Sequence, residues 1–465
     1  MKRSITLFTL AAFAAVLLTG SCQNKRLDKV PEPTWTDYKD YYIEKTGVFA
    51  DLPIYPDNIV MLGDEIIDFG EWTDFFQDTT FVNRGIMYSG TPHALCLIDG
   101  IAKAQPRKIF VSAGLQDIKR APDGQAAAAA DTVIANVKEI FRRAHLISPA
   151  TELYYLGILA DLQVKDEGVK AIGKANKGIK DAAEAGNVFT FLDLSNMTDA
   201  TGRIAEEYTY DGRSLNGLGY EMVANKVYSR LSEDAVKAIK ANDHEYPEIS
   251  PAHHNRVSIF NALPGNTHSV MFLGNSITRR GPWEELFPIV HTTNRGVGGD
   301  VVKGIYNRLD DVIADHPVAI YLMAGINDLT NPNRSADQVW KEYDQLIAKI
   351  KKELPSTYLY VQSTLPMAAK NARSGEVNPK VYELNKYLQA AADKYKYYYV
   401  DIAAVLSDED GYLKDEYTID GLHLNAEAYF MWAAEIIDRT HLVYMSGRQL
   451  QMKMEELVEE TEEIK

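Results

Sequence analysis

The sequence predicts an α/β protein built from two doubly wound parallel-sheet domains in tandem, and two observations carry that prediction. The first is an internal repeat. Phe49-Ala50-Asp51-Leu52-Pro53 recurs as Phe260-Asn261-Ala262-Leu263-Pro264. At the same spacing Met61-Leu62-Gly63 meets Phe272-Leu273-Gly274, Trp72 meets Trp283, Phe76 meets Phe287 and Asn83-Arg84-Gly85 meets Asn294-Arg295-Gly296. The register continues to Gly114-Leu115-Gln116-Asp117 against Gly325-Ile326-Asn327-Asp328. After a short slip, Tyr208-Thr209-Tyr210-Asp211-Gly212 pairs with Tyr417-Thr418-Ile419-Asp420-Gly421. Two copies of one domain are the economical explanation. The second observation is that short apolar runs alternate with longer amphipathic ones. In the second copy, residues 269–273, 318–323, 358–362 and 398–402 read as strands and 336–354 as a helix. Near-continuous apolar strands separated by helices imply a parallel sheet covered on both faces.

A chain of 465 residues is too long for one compact core. Its 65 acidic against 49 basic residues give a net charge of -16, which argues against nucleic-acid binding and against a basic membrane patch. Lys2 and Arg3 followed by an apolar run over 5–18 read as an export signal, too short to span a bilayer comfortably. Leu18-Thr19-Gly20-Ser21-Cys22 resembles the lipobox of bacterial lipoproteins. That resemblance implies a signal peptide over 1–21, an acylated Cys22 as the only membrane attachment, and a place in the cell envelope on the periplasmic or surface face. Residues 22–48, polar and holding two prolines, read as a tether. The first copy is expected over 49–240, a linker over 241–256, the second copy over 257–447, and an acidic tail over 448–465. His253 and His254 fall in the linker without surrounding ligands, so no metal site is expected there. Cys96 reads as a small buried hydrophobe and not as a reactive thiol.

The chemistry is concentrated in the second copy. Ser276 follows the strand 269–273 and Gly274, and in parallel α/β sheets sites collect at the carboxyl ends of strands. Asp420-Gly421-Leu422-His423 can deliver a base and its orienting carboxylate from one loop, which a serine hydroxyl needs before it becomes nucleophilic. Asn294-Arg295-Gly296-Val297-Gly298-Gly299-Asp300 can bring a backbone N–H close to a substrate oxygen, and the Asn327 amide can add a second donor. Each element alone has a structural reading as a cap or turn. Together, in this order, they resemble the SGNH (GDSL-like) hydrolase family over about 257–442. The resemblance implies two flavodoxin-like SGNH domains, with Ser276 as nucleophile and oxyanion donor, Gly299 and Asn327 completing the hole, and His423 as the base oriented by Asp420. It implies an esterase that needs no cofactor or metal. Small acyl groups, often acetyl, on carbohydrates such as sialic acids or polysaccharides are the leading substrates. A short-chain or lysophospholipid esterase like platelet-activating-factor acetylhydrolase is the alternative, and a non-catalytic glycan-binding surface lipoprotein a third. Asn275 stands where the family name implies Asp.

At the aligned positions of the first copy, Ser276 is replaced by Glu65, Gly299 by Tyr88, Asn327 by Gln116 and His423 by Ser214. Asp211 and Asp117 keep their counterparts. The first copy is therefore expected to be inactive, serving as a packing partner that shapes the second domain's cleft or as a glycan-binding pocket. The second copy is expected to fold alone.

Overall fold

A computed structural model of the protein describes residues 38–186, 188–231, 250–267, 269–288 and 290–439. The signal segment, Cys22, residues 241–249 and the acidic tail lie outside them. Strands β1 (Ile59–Gly63), β2 (Phe81–Gly85), β3 (Lys108–Ser112), β4 (Glu152–Leu156) and β5 (Thr190–Leu192) form a parallel sheet in the order β2-β1-β3-β4-β5. Strands β6 (Val270–Gly274), β7 (Thr292–Gly296), β8 (Ala319–Met323), β9 (Tyr358–Gln362) and β10 (Tyr398–Val400) form a second in the matching order β7-β6-β8-β9-β10, also parallel. This is the flavodoxin-like arrangement, whose switch point lies between the first and third strands. Strands β1, β3, β6 and β8 are buried along their whole length because helices cover both faces.

Four of the five strands of the second sheet lie where the apolar runs placed them. The fifth, β7, escaped because Thr-Thr-Asn-Arg-Gly carries no apolar pattern. It is an edge strand whose side chains bond to neighbouring loops: Asn294 Nδ2 donates to the carbonyls of Arg279 at 3.0 Å and Gly281 at 3.2 Å. The repeated residues also make repeated bonds. Trp72 Nε1 donates to the Ile67 carbonyl at 2.9 Å, and Trp283 Nε1 to the Thr278 carbonyl at 2.8 Å. Tyr220 donates its hydroxyl to the Ile66 carbonyl at 3.0 Å, and Tyr429 to that of Ile277 at 2.6 Å. These residues hold the turn after the first strand of each half.

The structure corrects the expected tether and linker. Residues 39–48 belong to a helix, Lys39–Asp51, and 251–256 to another, Pro251–Ala262. Each leads one half and packs on the other. Val48 and Leu52 enter the core of the second half, beside its closing helix Ala426–Arg439. Val257, Ile259, Phe260 and Leu263 enter the core of the first half, and their helix packs on that half's closing helix, Gly217–Tyr228. Polar residues at inward positions hid these helices: Glu44 is buried against Arg280, and Arg256 is buried against Glu71.

Two ion pairs cross the seam at equivalent positions. Arg84 of β2 forks onto Glu285 of the second half at 2.7 and 2.9 Å. Its counterpart Arg295 of β7 reaches back to Asp74 of the first half at 3.0 Å, and also to Asp315 at 2.9 Å. Arg84 lies over the Phe49 ring at 4.9 Å and Arg295 over Phe260 at 5.0 Å. The arginine of each Asn-Arg-Gly block thus clamps the opposite half.

Candidate active site

The strand ends of the second sheet bring the sequence-predicted residues together. Asn275 caps the short helix Ser276–Arg280, its Oδ1 accepting the Ile277 N–H at 3.0 Å, and so sets Ser276 at the carboxyl end of β6. Asn at this position serves as cap as well as Asp would. Ser276 Oγ lies 2.9 Å from His423 Nε2. His423 Nδ1 is bonded to Asp420 Oδ2 at 2.6 Å, while Asp420 Oδ1 accepts the N–H groups of Leu422 and His423 at 2.8 and 2.7 Å. Gly421, at φ +81°, makes this tight loop possible, and the Ala368 N–H donating to its carbonyl ties the loop down.

Burial works against ionised Asp420, but the bonds from His423 outweigh it and hold the carboxyl well below the usual range. His423 is lowered, chiefly by burial and further by the Arg280 charge, against the opposing pull of Asp420. The neutral base form therefore persists to lower pH than in a solvent-exposed histidine, whose pKa is about 6.5. The acid limb of kcat/KM for an ester should have its midpoint below that value. A pH–rate profile with the limb at or above it would contradict this electrostatic picture.

Gly299 lies in the turn after β7 at φ +76°, and Asn327 follows β8 with its Nδ2 donating to the Asp300 carbonyl at 2.8 Å. Both line the cavity in front of Ser276. The corresponding donors of the first half are seen at work. Glu65, at the serine position, is bonded by the backbone N–H of Tyr88 at 3.2 Å and by Gln116 Nε2 at 2.5 Å. Tyr88 keeps the left-handed backbone of Gly299, with φ +62°, a conformation few non-glycine residues adopt. The Glu65 carboxyl thus lies between the first-half counterparts of Gly299 and Asn327.

Residues 272–429 match the model of the GDSL-like lipase/acylhydrolase family. The C-terminal half thus carries a domain that matches the GDSL-like lipase/acylhydrolase family. The chain is 25% identical over 167 residues to the alpha1 subunit of platelet-activating factor acetylhydrolase IB from Rattus norvegicus, covering 34% of this chain and 69% of that protein. It is also 25% identical over 193 residues to an N-acylneuraminate cytidylyltransferase from Escherichia coli, covering 40% of this chain but only 43% of that protein, less than half its length. A GDSL-like lipase structure from Bacteroides thetaiotaomicron aligns with TM-score 0.37 and 23% identity over 42% of this chain and 97% of that one.

The pocket in front of Ser276, of about 370 Å³, is not made by its own domain alone. Tyr41, Phe69 and Met87 of the first half join Ser276, Arg280 and His423 in lining it. Arg279 stacks on Phe69 at 4.2 Å, and Arg280 on Tyr41 at 4.8 Å. Glu44, on the leading helix, pairs with Arg280, and burial with the nearby Asp420 pushes its carboxyl up to about 7 against the pull of Arg280. His253 Nε2 approaches to 3.6 Å of where a side chain at Gly299 would begin. Tyr41, Glu44, Phe69, Met87 and His253 were not legible as site residues, because each belongs to a segment read as tether, linker or inactive copy. Arg279 and Arg280 alone carried a signal, through their place directly after the nucleophile block. Glu44, Asp420 and His423 bring donor atoms within 4.8 Å of one another. Both histidine ring nitrogens are already engaged, by Ser276 and Asp420, so a cation bound there would compete with the serine–histidine bond.

Proposed function

We infer that the acylhydrolase domain is a serine esterase that removes small acyl groups, foremost acetyl, from carbohydrates such as sialic acids or polysaccharides. The observation that carries this reading is the continuous hydrogen-bonded series Ser276–His423–Asp420 facing a cavity beside Gly299 and Asn327. In the proposed reaction Ser276 Oγ attacks the ester carbonyl as His423 Nε2 takes its proton. The backbone N–H groups of Ser276 and Gly299 and the Asn327 amide hold the oxyanion. The C–O bond breaks, the alcohol leaves with the proton from His423, and water hydrolyses the acyl-enzyme by the same route. The walls supplied by Tyr41, Phe69 and Met87 favour short acyl groups. Chromogenic acetate should therefore be cleaved with a kcat/KM at least ~10-fold above octanoate. Equal or better turnover of the octanoate would refute the short-acyl reading.

A second reading, a short-chain phospholipid esterase, is supported by the similarity to the platelet-activating factor acetylhydrolase subunit. Attachment to the envelope through a lipid on Cys22 remains part of the proposal. Among the described residues no helix is long and apolar enough to cross a membrane. Cys22→Ala should move the protein from the membrane fraction to the soluble one with ester hydrolysis intact; continued membrane association would mean another attachment exists. The first half is proposed to be a degenerate, non-hydrolytic copy of the same domain.

A further inference from the structure

The positions of the first half that align with the catalytic ones have not closed up. Glu65, Tyr88, Gln116, Asp211 and Ser214 all line one cavity of about 460 Å³, within the usual range for small-molecule sites. Hydrolysis there is blocked, since the Glu65 carboxyl lies between the counterparts of Gly299 and Asn327 and no histidine stands at Ser214. The space in front of it is nonetheless built for a polar ligand. The exposed rim carries Gln163 and Arg213, and the floor carries the Lys119–Asp161 ion pair. The Tyr38 and Tyr88 rings, stacked at 4.3 Å, and Ile259 from the second half's leading helix add apolar surface. Hydrogen-bonding groups of both polarities beside aromatic and aliphatic faces match a sugar ring, which presents hydroxyls at its edge and C–H groups on its faces.

This cavity adjoins the catalytic one: Phe69, Met87 and Arg279 line both. We propose that the two cavities form one groove for an acylated oligosaccharide, in which the first half's pocket holds an unreacting sugar unit while a neighbouring acylated unit sits at Ser276. This rests on the carbohydrate-esterase reading above. The old active site thereby becomes an accessory subsite that sets substrate length.

The test compares O-acetylated mono-, di- and tetrasaccharides of one series, with a chromogenic acetyl ester as reference, on the full chain. The accessory pocket is altered by the double change Gln163→Ala with Arg213→Ala, both at exposed rim positions, and separately filled by Ser214→Trp. Thermal melting checks that each variant is folded. We expect the native protein to have a KM for the tetrasaccharide at least ~10-fold below that for the monosaccharide. Each folded variant should erase that advantage with kcat and chromogenic-ester hydrolysis within about twofold of native, as removing two ligand hydrogen bonds predicts. Equal KM values along the series, unchanged KM in both variants, or cleavage of the chromogenic ester with no oligosaccharide turnover would each overturn the proposal. No hydrolysis of the chromogenic ester at all would instead defeat the esterase reading on which it rests.

Discussion

Ser276→Ala is expected to lower turnover of a chromogenic acetyl ester by at least ~10³-fold, because serine, histidine and aspartate act as a unit and what remains is the activity of the oxyanion donors and binding alone. The serine is half-buried and its hydroxyl bonds to His423, so its loss leaves the core untouched and melting should barely move. Retention of more than a tenth of the activity would remove Ser276 from the role of nucleophile. The aligned change Glu65→Ala provides the internal control. It removes the carboxyl from the first half's pocket, supplies no base, and should leave ester hydrolysis nearly unchanged.

The second large effect concerns the seam. The repeat alone suggests that the second half should fold and work by itself, but a chain starting at Asn255 lacks the helix Lys39–Asp51. It would lose Val48 and Leu52 from its core, Tyr41 from its pocket and the Glu44 partner of Arg280. It would also keep most of a leading helix whose apolar residues belong in the absent first half. Truncating a single buried Leu typically costs about 2–5 kcal/mol, against a total stability of about 5–15 kcal/mol for a domain. The expected outcome is a species that aggregates or melts well below the full chain, with small-ester activity down by more than ~10-fold. Appending residues 38–52 to the same chain should restore part of both. Should the truncated chain melt within a few degrees of the parent and hydrolyse esters as well, the exchanged helices would have no energetic weight. In the intact protein, Leu52→Ala gives the milder version of the same test.

The contrast between what the residues disclose and what they conceal follows from range. Apolar strands such as Val270–Gly274 announce themselves because burial on both faces demands a continuous run. The serine, glycine and amide blocks were legible because each follows a strand end, and the histidine block because its Asp and His share one tight turn before the closing helix, in an order that hydrolytic chemistry requires. Contacts across the seam were not. Arg84 meets Glu285, and Glu44 meets Arg280, some two hundred residues away, and no local pattern encodes such partners. The polar strand Thr292–Gly296 failed for a related reason, as its stability comes from side-chain bonds to loops and from an ion pair with the other half. The repeat pointed to two autonomous units. It could not reveal that each had lent its first helix to the other.

That exchange has the form of a two-fold homodimer in which the same patch meets itself, Arg84 to Glu285 and Arg295 to Asp74. Here both sides belong to one polypeptide, so the second contact forms at the high effective concentration that a tether imposes and not at the concentration of the protein in solution. Symmetry is then no longer enforced by identical chains. One side is free to drift in chemistry while still being held to shape, because its residues form the wall of the other side's pocket.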